Sequence, residues 1–97
     1  KIEQADLELD WSRPATDLER IVRVGGAWTT FRGRRLKVWA ARLVDGVDAV
    51  PGSLHGDTVA AGEGALRLLE VQPESRGRQP AEAWLMGART EPGESLG

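Results

Sequence analysis

"WTTFRGRRLKVWAAR", residues 28–42, decides the fold. Ahead of Arg32-Gly33-Arg34, Ala27, Thr29 and Phe31 fall on one face of an extended chain. After it, Leu36, Val38 and Ala40 share a face, while Lys37, Trp39 and Ala41 take the other. Gly33 supplies the turn between the two runs, and the stretch reads as a β-hairpin. It also concentrates charge, carrying Arg32, Arg34, Arg35, Lys37 and Arg42 in a chain whose net charge is -2.

The periodicity on either side extends this pattern. "LELDW" alternates, with Leu7, Leu9 and Trp11 opposite Glu8 and Asp10, and predicts a half-buried strand. "SRPATDLERIVRV" predicts a helix. Pro14 suits its first turn, acids lie early and Arg20 and Arg23 late, and Leu18, Ile21 and Val22 form an apolar stripe. Gly25-Gly26 ends it. "DGVDAVPGS" reads as a loop. "DTVAA", the turn Gly62-Glu63-Gly64 and "ALRLLEVQ" make a second hairpin, and "PESRGRQP" another loop. "PAEAWLMGA" closes as a short helix with Ala81, Trp84, Leu85 and Ala88 on one face. Short strands separated by glycine turns, with one or two short helices, predict a mainly β single domain over residues 1–97, a small barrel or sandwich. Leu18, Ile21, Val38, Leu66, Leu68, Trp84 and Leu85 are the expected core.

Composition bounds the chemistry. The 97 residues hold 40% hydrophobic and 29% charged residues, the balance of a globular domain. No cysteine is present, so disulfides and thiolate metal sites are excluded. No apolar run approaches the roughly 18 residues of a membrane span. "KIEQADLELD" is acidic and lacks the apolar stretch of a secretory leader; without an initiator methionine the chain reads as part of something longer. From Arg20 to Arg42 there are seven cations and no anion, while the remainder carries six cations against fifteen acids. Segregation of this kind makes a dipolar surface suited to meeting a polyanion, although a solvated strand face would show the same pattern.

Catalytic and metal-binding arrangements are not expected. His55 is the one histidine, placed in a predicted loop beside Gly56, and there is no asparagine or tyrosine. Gly62-x-Gly64 opens onto a strand rather than a helix, which excludes a dinucleotide-binding reading. Two basic features remain, the hairpin and the loop Arg76-Gly77-Arg78, with Arg89 a further contributor. Arginine offers a planar fork that matches phosphate. Trp28 and Trp39 flank the first cluster and are expected to pack in the core, with stacking on a base the alternative.

Taken in order, these pieces resemble the C-terminal domain of the methionyl-tRNA formyltransferase family. "KIEQADLELDWSRPATDLERIVR" is similar to the family's opening, and "GAWTTFRGRRLKVWAA" to its glycine-alanine-aromatic-threonine strand, turn and following strand. "VPGSL", "GEGALRLLEVQ" and "PGESLG" continue in register. The segment between the helix and Gly26-Ala27 is shorter than in the family, as are the loops after "VPGSLH" and "GRQP". In the loop after the Glu-Val-Gln strand, Arg76 and Arg78 carry the charge of a more usual Gly-Lys-Lys/Arg. The resemblance implies an open Greek-key β-barrel like an oligonucleotide-binding fold, in a cytoplasmic enzyme of translation initiation. It implies a domain that positions the acceptor arm of initiator tRNA by phosphate contacts, through Arg32, Arg34, Arg35, Lys37, Arg76 and Arg78. It also implies an N-terminal catalytic domain of the same polypeptide as partner, no membrane contact, no cofactor in this domain, and 10-formyltetrahydrofolate for the full-length enzyme. The alternative is a structural or assembly barrel of a related folate-dependent or sugar formyltransferase, without RNA binding. On either reading the 97-residue chain by itself is expected to transfer no formyl group to methionyl-tRNA, and a transfer assay on the pure chain checks this.

Overall fold

A computed structural model describes residues 2–97. In chain order it has a 3-10 turn (Gln4–Leu7), α1 (Ala15–Val24), β1 (Trp28–Phe31), β2 (Arg34–Val44), β3 (Ser53–His55), β4 (Thr58–Ala60), β5 (Ala65–Pro73), β6 (Gln79–Pro80), α2 (Ala81–Ala88) and β7 (Glu94–Ser95). The strands pair in the order β1-β2-β5-β4-β3-β7, with β6 added to β5, and every pair is antiparallel. Within this order β2-β5-β4-β3 is a Greek key, because β5 returns to lie beside β2. The ends of the sheet nearly meet. Phe31 bridges Leu96, and the Gly97 N–H donates to the Thr30 carbonyl at 2.8 Å. The fold is thus the expected mainly β one: a nearly closed antiparallel barrel with an open seam and two helices.

The hairpin forms as its sequence requires. Arg32 and Gly33 both adopt positive φ, 51° and 79°, the geometry of a two-residue turn whose twist matches the strands it joins. Pairing then runs from Phe31 opposite Arg34 to Trp28 opposite Lys37. Thr29, Phe31, Leu36 and Val38 point into the core as expected.

Beyond Val38 the simple alternation fails. The β2–β5 register is interrupted between Val38 and Ala40 and again between Ala40 and Ala41, leaving Trp39 and Leu69 without an opposite residue. Each strand gains one extra residue, so Ala41 and Leu68 return inward while Ala40 does not join the core. Paired bulges of this kind bend both strands sharply and let a short sheet curl into a barrel. The expected face Leu36-Val38-Ala40 is corrected to Leu36-Val38-Ala41.

Other differences concern short elements. "LELDW" is no strand: after the 3-10 turn it makes one parallel bridge, Glu8 with Trp28. Leu9 and Trp11 are nonetheless buried, and the Trp11 indole N–H donates to the buried Thr29 hydroxyl at 3.0 Å. Helix α1 starts at Ala15, with Pro14 at its N-cap and the Ala15 N–H bound to the Glu63 carbonyl at 2.8 Å. The expected loop at 45–53 ends at the first residue of β3, the expected loop at 73–80 carries β6, and β7 lies in the C-terminal segment. β3, β6 and β7 leave no periodic signal in the sequence, because runs of two or three residues are too short to show a period. Gly62 packs so closely that the Ser12 carbonyl oxygen occupies the space a Cβ would need.

The core joins Leu18 and Val22 of α1, Val38 of β2, Leu54 and Val59 of β3 and β4, Leu66, Leu68 and Val71 of β5, and Trp84 of α2. Of the expected core, Ile21 and Leu85 are only partly buried, packed against its edge. Leu18 is 0% exposed. Replacing it with alanine should cost about 2–5 kcal/mol, a large fraction of a small domain's stability, read as a lowered urea midpoint at unchanged slope.

Candidate nucleic-acid interface

Strand alternation sorts the predicted cations. On β2, Arg34 shares the inward side with Leu36, whereas Arg35, Lys37 and Trp39 lie on the outer side. Adjacent Arg34 and Arg35 therefore aim their side chains to opposite sides of the strand, although both residues line the groove beside the hairpin tip.

The outer side of β1, β2 and β5 is built on two tryptophans. Trp28 faces Lys37 across the hairpin, and Arg35, opposite Thr30, reaches it diagonally. The Arg35 guanidinium lies 3.8 Å from the centre of the Trp28 ring. The Arg78 guanidinium lies 3.7 Å from the Trp39 ring, and the Lys37 ammonium 5.6 Å from the same ring. Both indoles are fixed. Trp28 Nε1–H donates to the Gln4 carbonyl at 2.9 Å, and Trp39 Nε1–H to Gln72 Oε1 at 2.8 Å. Gln72 in turn donates through Nε2 to the Arg76 carbonyl at 2.9 Å, tying the 73–80 loop to the sheet. The expectation that Trp28 and Trp39 are core residues is overturned. They sit half-buried on the outer face because the extended chain alternates, and the cations cover rings that would otherwise be wet.

Ion pairing separates the cations further. In α1, Arg23 pairs with Glu19 at 3.0 Å and Arg20 with Asp17 at 3.9 Å. The acid-free run in sequence is therefore partly neutralised by the helix's own acids. Arg78 reaches Glu70 only at 3.9 Å, both side chains well exposed, a weak pair. Among the described residues no ion pair involves Arg34, Arg35, Lys37 or Arg76. Arg35 keeps its guanidinium edge clear of acids; its backbone N–H, not its side chain, meets Glu74 Oε1 at 3.4 Å.

Arg32 is engaged quite differently. Its Nε and Nη2 donate to the two carboxylate oxygens of Glu94 at 2.6 and 3.0 Å, and its Nη1 to the Ala88 carbonyl at 2.8 Å. Its guanidinium also covers the Phe31 ring at 4.7 Å. Five donors in a fixed fork are nearly used up within the fold.

His55 lies at the end of β3 rather than in a loop. Its Nε2 is 3.0 Å from Ser53 Oγ, whose own proton is donated to the Val50 carbonyl at 2.6 Å. Nε2 must therefore be the donor, and the pair is not a nucleophile with its base. Among the described residues no group of three or more His, Cys, Asp or Glu could hold a metal ion, and no helix is long and apolar enough to cross a membrane.

Against known proteins, the model of the formyl transferase C-terminal domain matches residues 1–89. The chain belongs to that family. Methionyl-tRNA formyltransferase of Jannaschia sp. (strain CCS1) is 41% identical over 99% of the chain, and that of Streptomyces coelicolor is 42% identical over 100%. The chain covers only 33% and 34% of those two relatives, about one third of their length. Among solved structures, a HypX variant from Aquifex aeolicus matches 98% of the chain and 19% of its own, at a TM-score of 0.74 and 19% identity, a likeness of fold.

In this chain the Arg32–Glu94 pair ties the hairpin tip to the C-terminal segment. The hydrogen bond from Arg32, then the backbone N–H of Glu91, draws the Glu94 carboxyl below its ordinary range. A depressed carboxylate pKa stabilises the folded state above the unfolded pKa, and that stabilisation disappears as pH falls through the folded value. The unmodified chain should therefore be more stable than Glu94→Gln at neutral pH. The difference should vanish in acid, below the ordinary carboxylate range, in paired thermal melts across pH.

Proposed function

We propose that this chain is the RNA-holding domain of a methionyl-tRNA formyltransferase, with the outer face of β1, β2 and β5 set against the phosphate backbone of the tRNA acceptor arm. One observation carries the reading: guanidiniums of Arg35 and Arg78 lie over the Trp28 and Trp39 rings, within 3.8 Å of their centres, with Lys37 beside them. An arginine stacked on a ring loses less freedom when it binds than one waving in solvent, and its edge donors match a phosphate. The indole faces are already occupied, so this surface offers donors to a backbone and not rings to bases. Phosphate contacts fix position and carry no sequence, which suits a domain that holds RNA for chemistry performed elsewhere.

That chemistry and its formyl donor, 10-formyltetrahydrofolate, belong on this reading to a catalytic domain N-terminal to the barrel in the same polypeptide. The relatives' greater length supports this, and the one imidazole is tied to Ser53. Arg32 stays out of the proposed contact set because Glu94 and the end of α2 hold it.

Replacing Arg35, Lys37 and Arg78 with alanine should weaken binding of initiator and elongator tRNAs by a similar factor. Each lost phosphate contact should flatten the slope of log affinity against log salt by roughly 0.7–0.9. Fluorescence titrations at several salt concentrations read both quantities. Unchanged affinity and slope would leave the barrel a structural module of its enzyme.

A further inference from the structure

The inward side of the hairpin tip opens onto a second surface. A groove of about 380 Å³ runs between the start of β2, the end of β5 and α2. Pockets of this size accept small ligands. Phe31, Leu36, Pro73 and Trp84 give it an apolar floor, and Arg34 and Arg76 stand on its rim. Neither arginine has an acid partner among the described residues. Glu74 is the one acid of the lining, and its Oε1 already accepts the Arg35 N–H at 3.4 Å.

We infer that this groove takes one unpaired nucleotide of the bound RNA, its base on the apolar floor and its phosphates on Arg34 and Arg76. The inference rests on the reading above that the neighbouring outer face holds RNA. Two unpaired arginines beside an apolar floor match a flat group that carries an anion on its edge. A free phosphate would need no such floor, and an apolar peptide no such rim. A base stacked inside a duplex cannot enter, whereas an unpaired one can be turned out of the strand. The alternation of β2 makes the hairpin two-sided: Arg35 and Lys37 meet a backbone on one side, and Arg34 and Leu36 meet a nucleotide on the other. Arg35 lies in the strand shared by both surfaces, so one RNA strand can pass from the first to the second.

Gly87 gives the means of testing it. It forms part of the groove wall in α2, and a Cβ built there meets nothing within 4 Å, so a side chain is accommodated at this position and Gly87→Phe is the variant chosen to obstruct the groove. Two RNAs are compared on the 97-residue chain: a blunt duplex, and the same duplex with a three-nucleotide single-stranded adenosine extension. The extended RNA should bind about fivefold tighter or more, the contribution of one accommodated base. Gly87→Phe should erase that preference and leave blunt-duplex affinity unchanged, and Arg34→Ala with Arg76→Ala should likewise erase the preference. Equal affinity of the two RNAs for the unmodified chain, or a preference that survives Gly87→Phe, overturns the inference. If neither RNA binds, the outer-face reading has failed, and the groove is decided by adenosine 3′,5′-bisphosphate. Shifts of the Gly87 and Ala88 amide resonances that inorganic phosphate does not reproduce uphold the groove; no shift, or an equal shift with phosphate alone, overturns it.

Discussion

Arg32 holds the barrel shut. It occupies a left-handed turn position at φ 51°, a conformation that costs a side-chain-bearing residue roughly 1–2 kcal/mol and that asparagine or glycine would fill more easily. The same conformation aims its guanidinium across the seam, where it takes both oxygens of Glu94 and the Ala88 carbonyl. Three parts of the chain meet at that one group: the hairpin tip, the C-terminal end of α2 and the last strand. The bridge from Phe31 to Leu96 and the bond from Gly97 to Thr30 lie beside it. A strained turn residue that persists because its surroundings over-determine it marks a place the fold depends on.

The two-sided character of the hairpin follows from that closure. With the tip fixed, β2 presents one side to solvent and the other to α2, and the cations of a single short stretch are divided between them. The outer cations are ordered by tryptophans rather than by acids. That distinction matters for an acidic protein: an arginine neutralised by a carboxylate offers little to a phosphate, while one resting on an indole keeps its full charge and its edge donors. Net charge of -2 is therefore a poor guide to the local field. The helix acids pair with Arg23 closely and with Arg20 loosely, Glu94 takes Arg32, and among the described residues Arg34, Arg35 and Lys37 have no ion pair.

The paired bulges at Trp39 and Leu69 connect fold and surface. They curl the sheet enough for its edges to approach. Trp39, at the bulge, lies outward beside Lys37 and under Arg78. Gln72 then locks the indole and the basic loop together.

Sequence by itself determined what depends on neighbours in the chain. The hairpin at Arg32-Gly33, α1 with its stripe of Leu18 and Val22, the stop at Gly25, the second hairpin and α2 are all legible, because period and turn chemistry are local. The basic character of residues 32–42 is legible for the same reason. Tertiary structure alone decided the rest. Nothing in the sequence shows that Arg32 would meet Glu94 sixty-two positions away, since an ion pair across a barrel seam has no period. Trp28 and Trp39 read as core by size; only the pairing of β1 with β2 and β5 reveals that cations from across the sheet cover them. Strands of two and three residues exist because partners are already in place to receive their hydrogen bonds, and so β3, β6 and β7 leave no signal of their own. The division of Arg34 from Arg35 was implicit in strand alternation, but the surfaces they serve are made by residues distant in the chain, and long-range packing alone brings those together.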